Sequence, residues 1–300
     1  MENWDKINAV QRMQDYIVSH INEDITMQDL SNISGYSLFH SIRIFKELTL
    51  KTPFEYIRAL KLTKAAEQLR DTESKVIEIA LDANYDSHEG FTRAFNSQFD
   101  ITPSEYNKNK PPVSFFTYYP ISHYYLYTKK RNDKTMEKNR VSKTVTVQAV
   151  ERPARKLIVL RSKKATDYMS YCEEMGCDWE GLMNSISEKV DNAALLELPK
   201  KLVKEGTSEY AAGIEVPLEF AKTVPQGYEV LELPACKMLY FQGMPFDNEE
   251  DFCEAIEIVD EAIKNYKPET FGYKFAFDIA PRFNFGASAQ AGAKMAIPIE

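Results

Sequence analysis

A unit of about fifty residues occurs twice near the front of this chain, and that repetition limits what it can fold into more than any other feature. TPFEY at 52–56 returns as TPSEY at 102–106. At the same spacing Ser37 answers Ser87, Arg43 answers Arg93 and Phe45 answers Phe95. With one residue of slippage, Gly35-Tyr36 answers Asn84-Tyr85. A duplicated unit folds as two copies of one small structure, so the first problem is what fifty residues can build.

Each copy reads as two short helices joined by a tight turn. In the first, Thr26-Met27-Gln28-Asp29 has capping-box spacing, in which a hydroxyl and a carboxylate three residues apart satisfy backbone amides reciprocally. Leu30 and Ile33 give that helix an apolar side, Gly35 can end it in the left-handed conformation, and Ser37 can cap a second helix through Phe45 and Leu48. In the second copy Ile77, Ala80 and Leu81 mark the first helix, and Asn84 tolerates the positive φ of the turn. Ser87 then caps a helix with Phe91, Phe95 and Phe99 on one face. A longer helix over about 53–70 joins the copies through Leu62, Ala65, Ala66 and Leu69, and fixes their separation. An opening helix, about 8–21, carries Val10, Met13 and Ile17. Helix, tight turn, helix is the arrangement that lays its second helix in the major groove of double-stranded DNA.

The stretch 26–106 resembles the AraC/XylS-type DNA-binding domain. GYS at 35–37, RIFK at 43–46, TPFEYI at 52–57, IEIA at 77–80, RAF at 93–95 and TPSEY at 102–106 carry the likeness. Five positions depart from it, among them Gly90, which lies inside the second recognition helix. Ser41 stands where a core leucine is usual, Ile42 where a polar base-reader is common, and Leu50 and Asp100 where glycine precedes the TP turn. The resemblance implies a transcription regulator, an activator, with double-stranded DNA and RNA polymerase as partners.

The candidate base-readers lie near the start of each second helix: Ser37, Phe39, His40, Ile42 and Arg43 in the first copy, and Ser87, His88, Glu89, Thr92 and Arg93 in the second. Arginine can hold guanine through two hydrogen bonds. Both copies keep an arginine at one place, so a structural or phosphate-binding role stands beside base reading. Phe39 suits thymine methyls or a core equally well.

Charge alone does not suggest DNA. The net charge is −8, and residues 1–110 hold 13 basic against 17 acidic side chains. Residues 111–143 hold 7 against 2, and residues 144–300 hold 17 against 26. A DNA-binding front must therefore gather its positive charge on one face.

A second duplication lies behind. ERPARKLIVLR at 151–161 answers ELPACKMLYFQ at 232–242, and Val216-Pro217 answers Ile297-Pro298. Each copy opens on a strand-like run, LIVL or MLYF. Each continues through a helical stretch, Trp179-Leu182-Met183-Ile186 or Phe252-Ile256-Val259-Ile263, and closes on YAAGIEVP or KMAIPIE. The expected architecture is multidomain: an all-α double helix-turn-helix domain over 1–108, a linker over 109–143, and an α+β pseudo-symmetric domain over 144–300. NKNKPP stops a helix at the linker's start, an aromatic run follows at 115–128, and KKRNDKTMEKNR at 129–140 reads as an exposed basic tether.

The rear half resembles the GyrI-like effector-binding domain. The resemblance implies a small amphipathic ligand, and Tyr168, Tyr171, Trp179, Tyr210, Tyr240 and Phe241 are aromatic candidates to line its site, between the two halves with Trp179 and Tyr240 near it. Related domains that take lipophilic cations often carry a buried carboxylate on the last strand. KMAIP at 294–298 has none, and Glu215 on the corresponding strand of the first half is the candidate substitute.

Catalysis is not expected. All four histidines, His20, His40, His88 and His123, lie in the front half, which excludes a Ser-His-Asp or Cys-His arrangement in the rear domain. No nucleotide-binding glycine loop occurs, and neither cofactor nor metal is expected. Carboxylate-dependent hydrolysis and a protein-sequestering rear domain are the alternatives. The four cysteines read as free thiols of a cytoplasmic protein, with neither signal peptide nor membrane span.

Overall fold

The computed structural model describes residues 2–123, 125 and 141–300. The basic tether expected at 129–140 lies outside these. The chain divides into two compact units, Met1–Lys134 and Thr135–Glu300.

The helices of the front unit include α1 (Glu2–Ser19), α2 (Met27–Ser34), α3 (Leu38–Thr49), α4 (Pro53–Asp71), α5 (Val76–Asp82), α6 (His88–Phe99) and α7 (Pro103–Asn109). The repeated TP dipeptide has one use in both copies. Thr52 and Thr102 cap α4 and α7, proline takes the first helical turn, and Glu55 or Glu105 closes a capping box. Gly35 (φ 77°) and Asn84 (φ 60°) make the expected left-handed turns. Leu50 (φ 60°) and Asp100 (φ 55°) adopt the same conformation with side chains that resist it.

Two cores follow from the repeat, and α4 serves both. Val10, Met13 and Ile17 of α1 meet Leu30, Ile44, Phe45, Tyr56 and Ile57 in the first. Leu62, Ala65, Ala66 and Leu69 meet Ile79, Ala80 and the Phe91-Phe95-Phe99 stripe in the second. Ile77 and Leu81 do not share that core as expected; they are 48% and 62% exposed.

The linker expected from 109 is part of this unit as far as residue 122. Val113 and Phe115 enter the second core, while Phe116, Tyr118 and Ile121 pack on the first. Thr63 Oγ1 accepts the Phe116 amide at 2.8 Å, and Gln14 Oε1 accepts the Ile121 amide at 3.0 Å. The reason is apolar content. These aromatic side chains gain more by covering the helices than the chain loses in freedom.

The rear unit is one antiparallel sheet of eight strands: β1 (Val145–Arg152), β2 (Arg155–Arg161), β3 (Ala194–Glu197), β4 (Tyr210–Pro217), β5 (Tyr228–Leu233), β6 (Cys236–Gly243), β7 (Arg282–Ser288) and β8 (Gly292–Ile299). Their order is β1-β6-β8-β7-β3-β4-β2-β5. Helices α8 (Tyr168–Met175), α9 (Glu180–Asn184) and α10 (Phe252–Asn265) complete it. Successive strand residues face opposite ways. Ile158, Leu195, Ala212, Ile214 and Val216 accordingly pack with α8 and α9. Leu157, Val159, Ala194, Leu196, Met238, Phe283 and Ala296 form a separate cluster from the alternate positions.

Candidate functional site

The first residues of α3 and α6 are exposed, as a groove-entering helix requires. On α3, Leu38 and Phe39 are 38% and 87% exposed, which removes Phe39 from the core. Ile42 is half-buried and Arg43 exposed. Arg43 hydrogen-bonds His40 Nδ1 at 3.0 Å, and the His40 ring lies 4.6 Å from Tyr36. Tyr36, His40 and Arg43 thus form one chain of contacts along this surface.

Ser37 holds the N-cap position of α3, but its hydroxyl caps nothing there. The polar contacts run behind the helix instead. Ser41, fully buried, shares a 2.7 Å hydrogen bond with Ser34, and its hydroxyl also reaches the Ser37 carbonyl at 3.0 Å. A hydroxyl at the departing position is therefore satisfied by a partner on α2, which removes the cost of burying it. Arg12 donates from α1 to the Ile33 and Ser34 carbonyls at 3.0 and 2.9 Å. These ends of α2 would otherwise lack donors.

On α6 the surface is polar. His88, Glu89 and Arg93 are exposed. Ser87 caps the helix as expected, accepting the Gly90 amide at 3.1 Å. A β-carbon at Gly90 would lie 3.1 Å from Ser87 Oγ, so glycine here leaves room for the cap. Thr92 departs from expectation. Its hydroxyl oxygen is buried without a hydrogen-bond partner among the described residues, so it reaches a base only after rotating about χ1.

The seven residues expected to line one rear site fall in three places. Tyr168, Tyr171, Trp179 and Tyr210 gather in the cluster under α8 and α9, where Trp179 meets the Tyr171 ring edge-on at 6.1 Å. Trp179 is 6% exposed and fills this core. Phe241 is fully buried against Tyr266. Tyr240, its neighbour, faces the opposite way and joins the cluster of Met238 and Phe283. Trp179 and Tyr240 therefore do not line one seam, because they belong to opposite faces of the sheet. Tyr210 also borders an open surface cleft of about 650 Å³ rimmed by Lys200, Lys204, Glu205 and Glu209.

Glu215 is not available to a ligand cation. It is 2% exposed and ion-paired with the fully buried Arg155, and Arg152 Nε lies 3.7 Å from its other oxygen. Burial pushes its carboxyl above the ordinary value, and the two arginines oppose that. Beyond Arg152 the network continues. Asp191 accepts from Arg152 at 2.7 Å, from Lys294 at 2.6 Å and from the Tyr240 hydroxyl at 3.0 Å. Burial works against the Asp191 carboxylate, but the Lys294 hydrogen bond and its other donors outweigh it and hold the group below its usual range. Lys294 also sits 4.2 Å above the Phe285 ring, and Phe285 stacks with Tyr240 at 6.2 Å. Sequence reasoning named Tyr240 and Glu215 but missed Arg152, Asp191, Phe285 and Lys294, which are brought together from separate strands and a loop.

Among the described residues no helix is long and apolar enough to cross a membrane. Residues 30–109 match the family described as the helix-turn-helix domain. Over 95 residues the chain is 41% identical to the Transposon Tn10 TetD protein of Escherichia coli, across 32% of this chain and 69% of that one. Over 97 residues it is 38% identical to the regulatory protein SoxS of Salmonella typhimurium, across 32% of this chain and 91% of SoxS. A solved structure of a probable AraC family transcriptional regulator from Rhodopseudomonas palustris is 25% identical, with a TM-score of 0.33, across 34% of this chain and 95% of that one. The duplicated helix-turn-helix, its two exposed second helices and the sequence likeness to TetD and SoxS agree: the chain belongs to the AraC/XylS family of DNA-binding transcription regulators.

Proposed function

We propose that this regulator is an effector-controlled activator, cytoplasmic and working with RNA polymerase, in which α3 and α6 enter successive major-groove segments. The observation that carries the DNA reading is the pair of exposed helix starts set on two cores that share α4. At 1.5 Å per residue, the 19 residues of α4 span roughly 28 Å, close to one turn of B-DNA at about 34 Å. Phe39 and Ile42 meet thymine methyls, Arg43 and Arg93 meet guanine, and His40, His88, Glu89 and the Ser37 and Ser87 caps complete the two surfaces. Thr92 contributes through its half-buried side chain.

The rear unit is a duplicated effector-binding domain of GyrI-like type, spanning 144–300. Its strand order supports this. β2 and β6 begin 81 residues apart in the aligned copies, β4 and β8 pair likewise, and the two quartets β1-β6-β8-β7 and β3-β4-β2-β5 place these counterparts in equivalent positions. The bound molecule is a small amphiphile, seated at the cluster of Tyr240, Phe285 and Lys294. Binding controls transcription only as far as the ligand favours one state of the chain over another.

The test is transcription in vitro from a promoter carrying an operator selected from random DNA with the full chain. The expected result is more transcript with the chain present and a further change with ligand. Less transcript with the chain present contradicts activation, and an unchanged response to every amphiphile contradicts effector control.

A further inference from the structure

We infer that the rear unit takes its amphiphile by an anionic headgroup, a carboxylate or sulfate, with the hydrocarbon chain laid over Tyr240 and Phe285. The inference rests on the effector-binding reading above and narrows it by charge.

Five charged groups meet in this cluster. Arg155 and Glu215 close on each other in full burial. Arg152 and Lys294 share Asp191, and Arg152 also stands 3.7 Å from Glu215, so three cations meet two carboxylates. The side chains of Arg152 and Lys294 are only 10% and 28% exposed, and that of Asp191 13%. The site therefore holds a surplus positive charge partly withdrawn from water. The surplus grows if Glu215 takes up a proton, so it does not depend on that group's state. It also runs against its surroundings, since residues 144–300 carry 17 basic and 26 acidic side chains.

Two further observations point to a ligand. Arg152 Nε is buried and has no hydrogen-bond partner among the described residues. An unsatisfied charged donor in a dry site favours an acceptor that arrives with a ligand. Lys294 already covers the Phe285 ring at 4.2 Å and stands 5.3 Å from that of Tyr240. The ring faces a cationic headgroup needs are occupied by a cation, and the newcomer would be repelled. An anion meets Lys294 head-on, while the outer ring edges remain for hydrocarbon.

The experiment is calorimetric titration of the full chain with three probes of equal chain length, octanoate, octyltrimethylammonium and 1-octanol, at fixed ionic strength and below micelle formation. Octanoate should bind about ten-fold or more tightly than either other probe, the worth of one charge-assisted hydrogen bond. Lys294→Gln should erase that advantage, and Lys294→Arg should keep most of it, which separates lost charge from lost folding. Octanol binding as well as octanoate, or the ammonium binding better, overturns the inference and leaves effector binding standing. Binding of none of the three overturns both.

Discussion

The two helix-turn-helix copies share a scaffold and differ in what they show to DNA. The α3 surface is largely apolar at its start, with Leu38, Phe39 and half-buried Ile42 beside the His40–Arg43 pair. The α6 surface is polar, with His88, Glu89 and Arg93. Inside, the relation reverses. The first copy buries a hydroxyl pair, Ser34 and Ser41, where the second buries Phe91. Duplication therefore preserved the parts that make the fold, the TP caps, the left-handed turns and the Phe45/Phe95 anchors, and let the reading surfaces diverge. On the proposed contacts the first copy meets thymine methyls as well as a guanine, and the second meets a guanine without a methyl reader.

The largest test of the shared scaffold is its paired anchor. Phe45→Ala and Phe95→Ala each empty a fully buried site and should each cost about 3–5 kcal/mol, read by urea denaturation followed on the front unit's helical signal. A large loss at one and a negligible loss at the other would break the equivalence of the two cores. Next is the reading surface of α6. Arg93→Ala should weaken operator binding by about 1–3 kcal/mol and random DNA by much less, and 7-deazaguanine in the operator should reproduce the loss. An equal loss on both DNAs, with a shallower salt slope, would reassign Arg93 to phosphate.

The turns before the TP caps give a smaller contrast. Leu50 is 84% exposed at φ 60°, so Leu50→Gly removes strain and no packing, and should stabilise the front unit by about 0.5–1 kcal/mol. Asp100→Gly should gain less, because aspartate tolerates the left-handed region better. The smallest effect concerns α3. Replacing thymine by deoxyuridine beneath it should cost about 0.8 kcal/mol per methyl lost, and nothing further in Phe39→Ala. Additive losses in that cycle would remove Phe39 from the methyl contact.

What the sequence revealed followed the repeats. Helix order, the left-handed turns at Gly35 and Asn84, the Phe91-Phe95-Phe99 stripe and the strand over YAAGIEVP are local patterns, and local patterns are written in consecutive residues. The misses depend on what lies across the fold. Ile77 and Leu81 are apolar, yet α5 turns Ile79 and Ala80 inward instead. Phe115 and Tyr118 look like linker residues until the cores they cover are known. Tyr240 and Trp179 fall on opposite sides because strand parity decides facing, and no spacing between them reports it. The charge cluster was hidden for the same reason: Arg152, Asp191 and Lys294 are far apart in the chain.

The central claim is that one chain carries two readers. Hydroxyl-radical and methylation-interference footprinting of a single chain on its selected operator tests it most directly. The expected result is two protected major-groove segments about one turn, roughly 10 bp, apart, each with a guanine contact and one of them with thymine methyl contacts as well. Protection of a single segment by the intact chain, unchanged when α3 is stripped by Phe39→Ala and Arg43→Ala together, would contradict it.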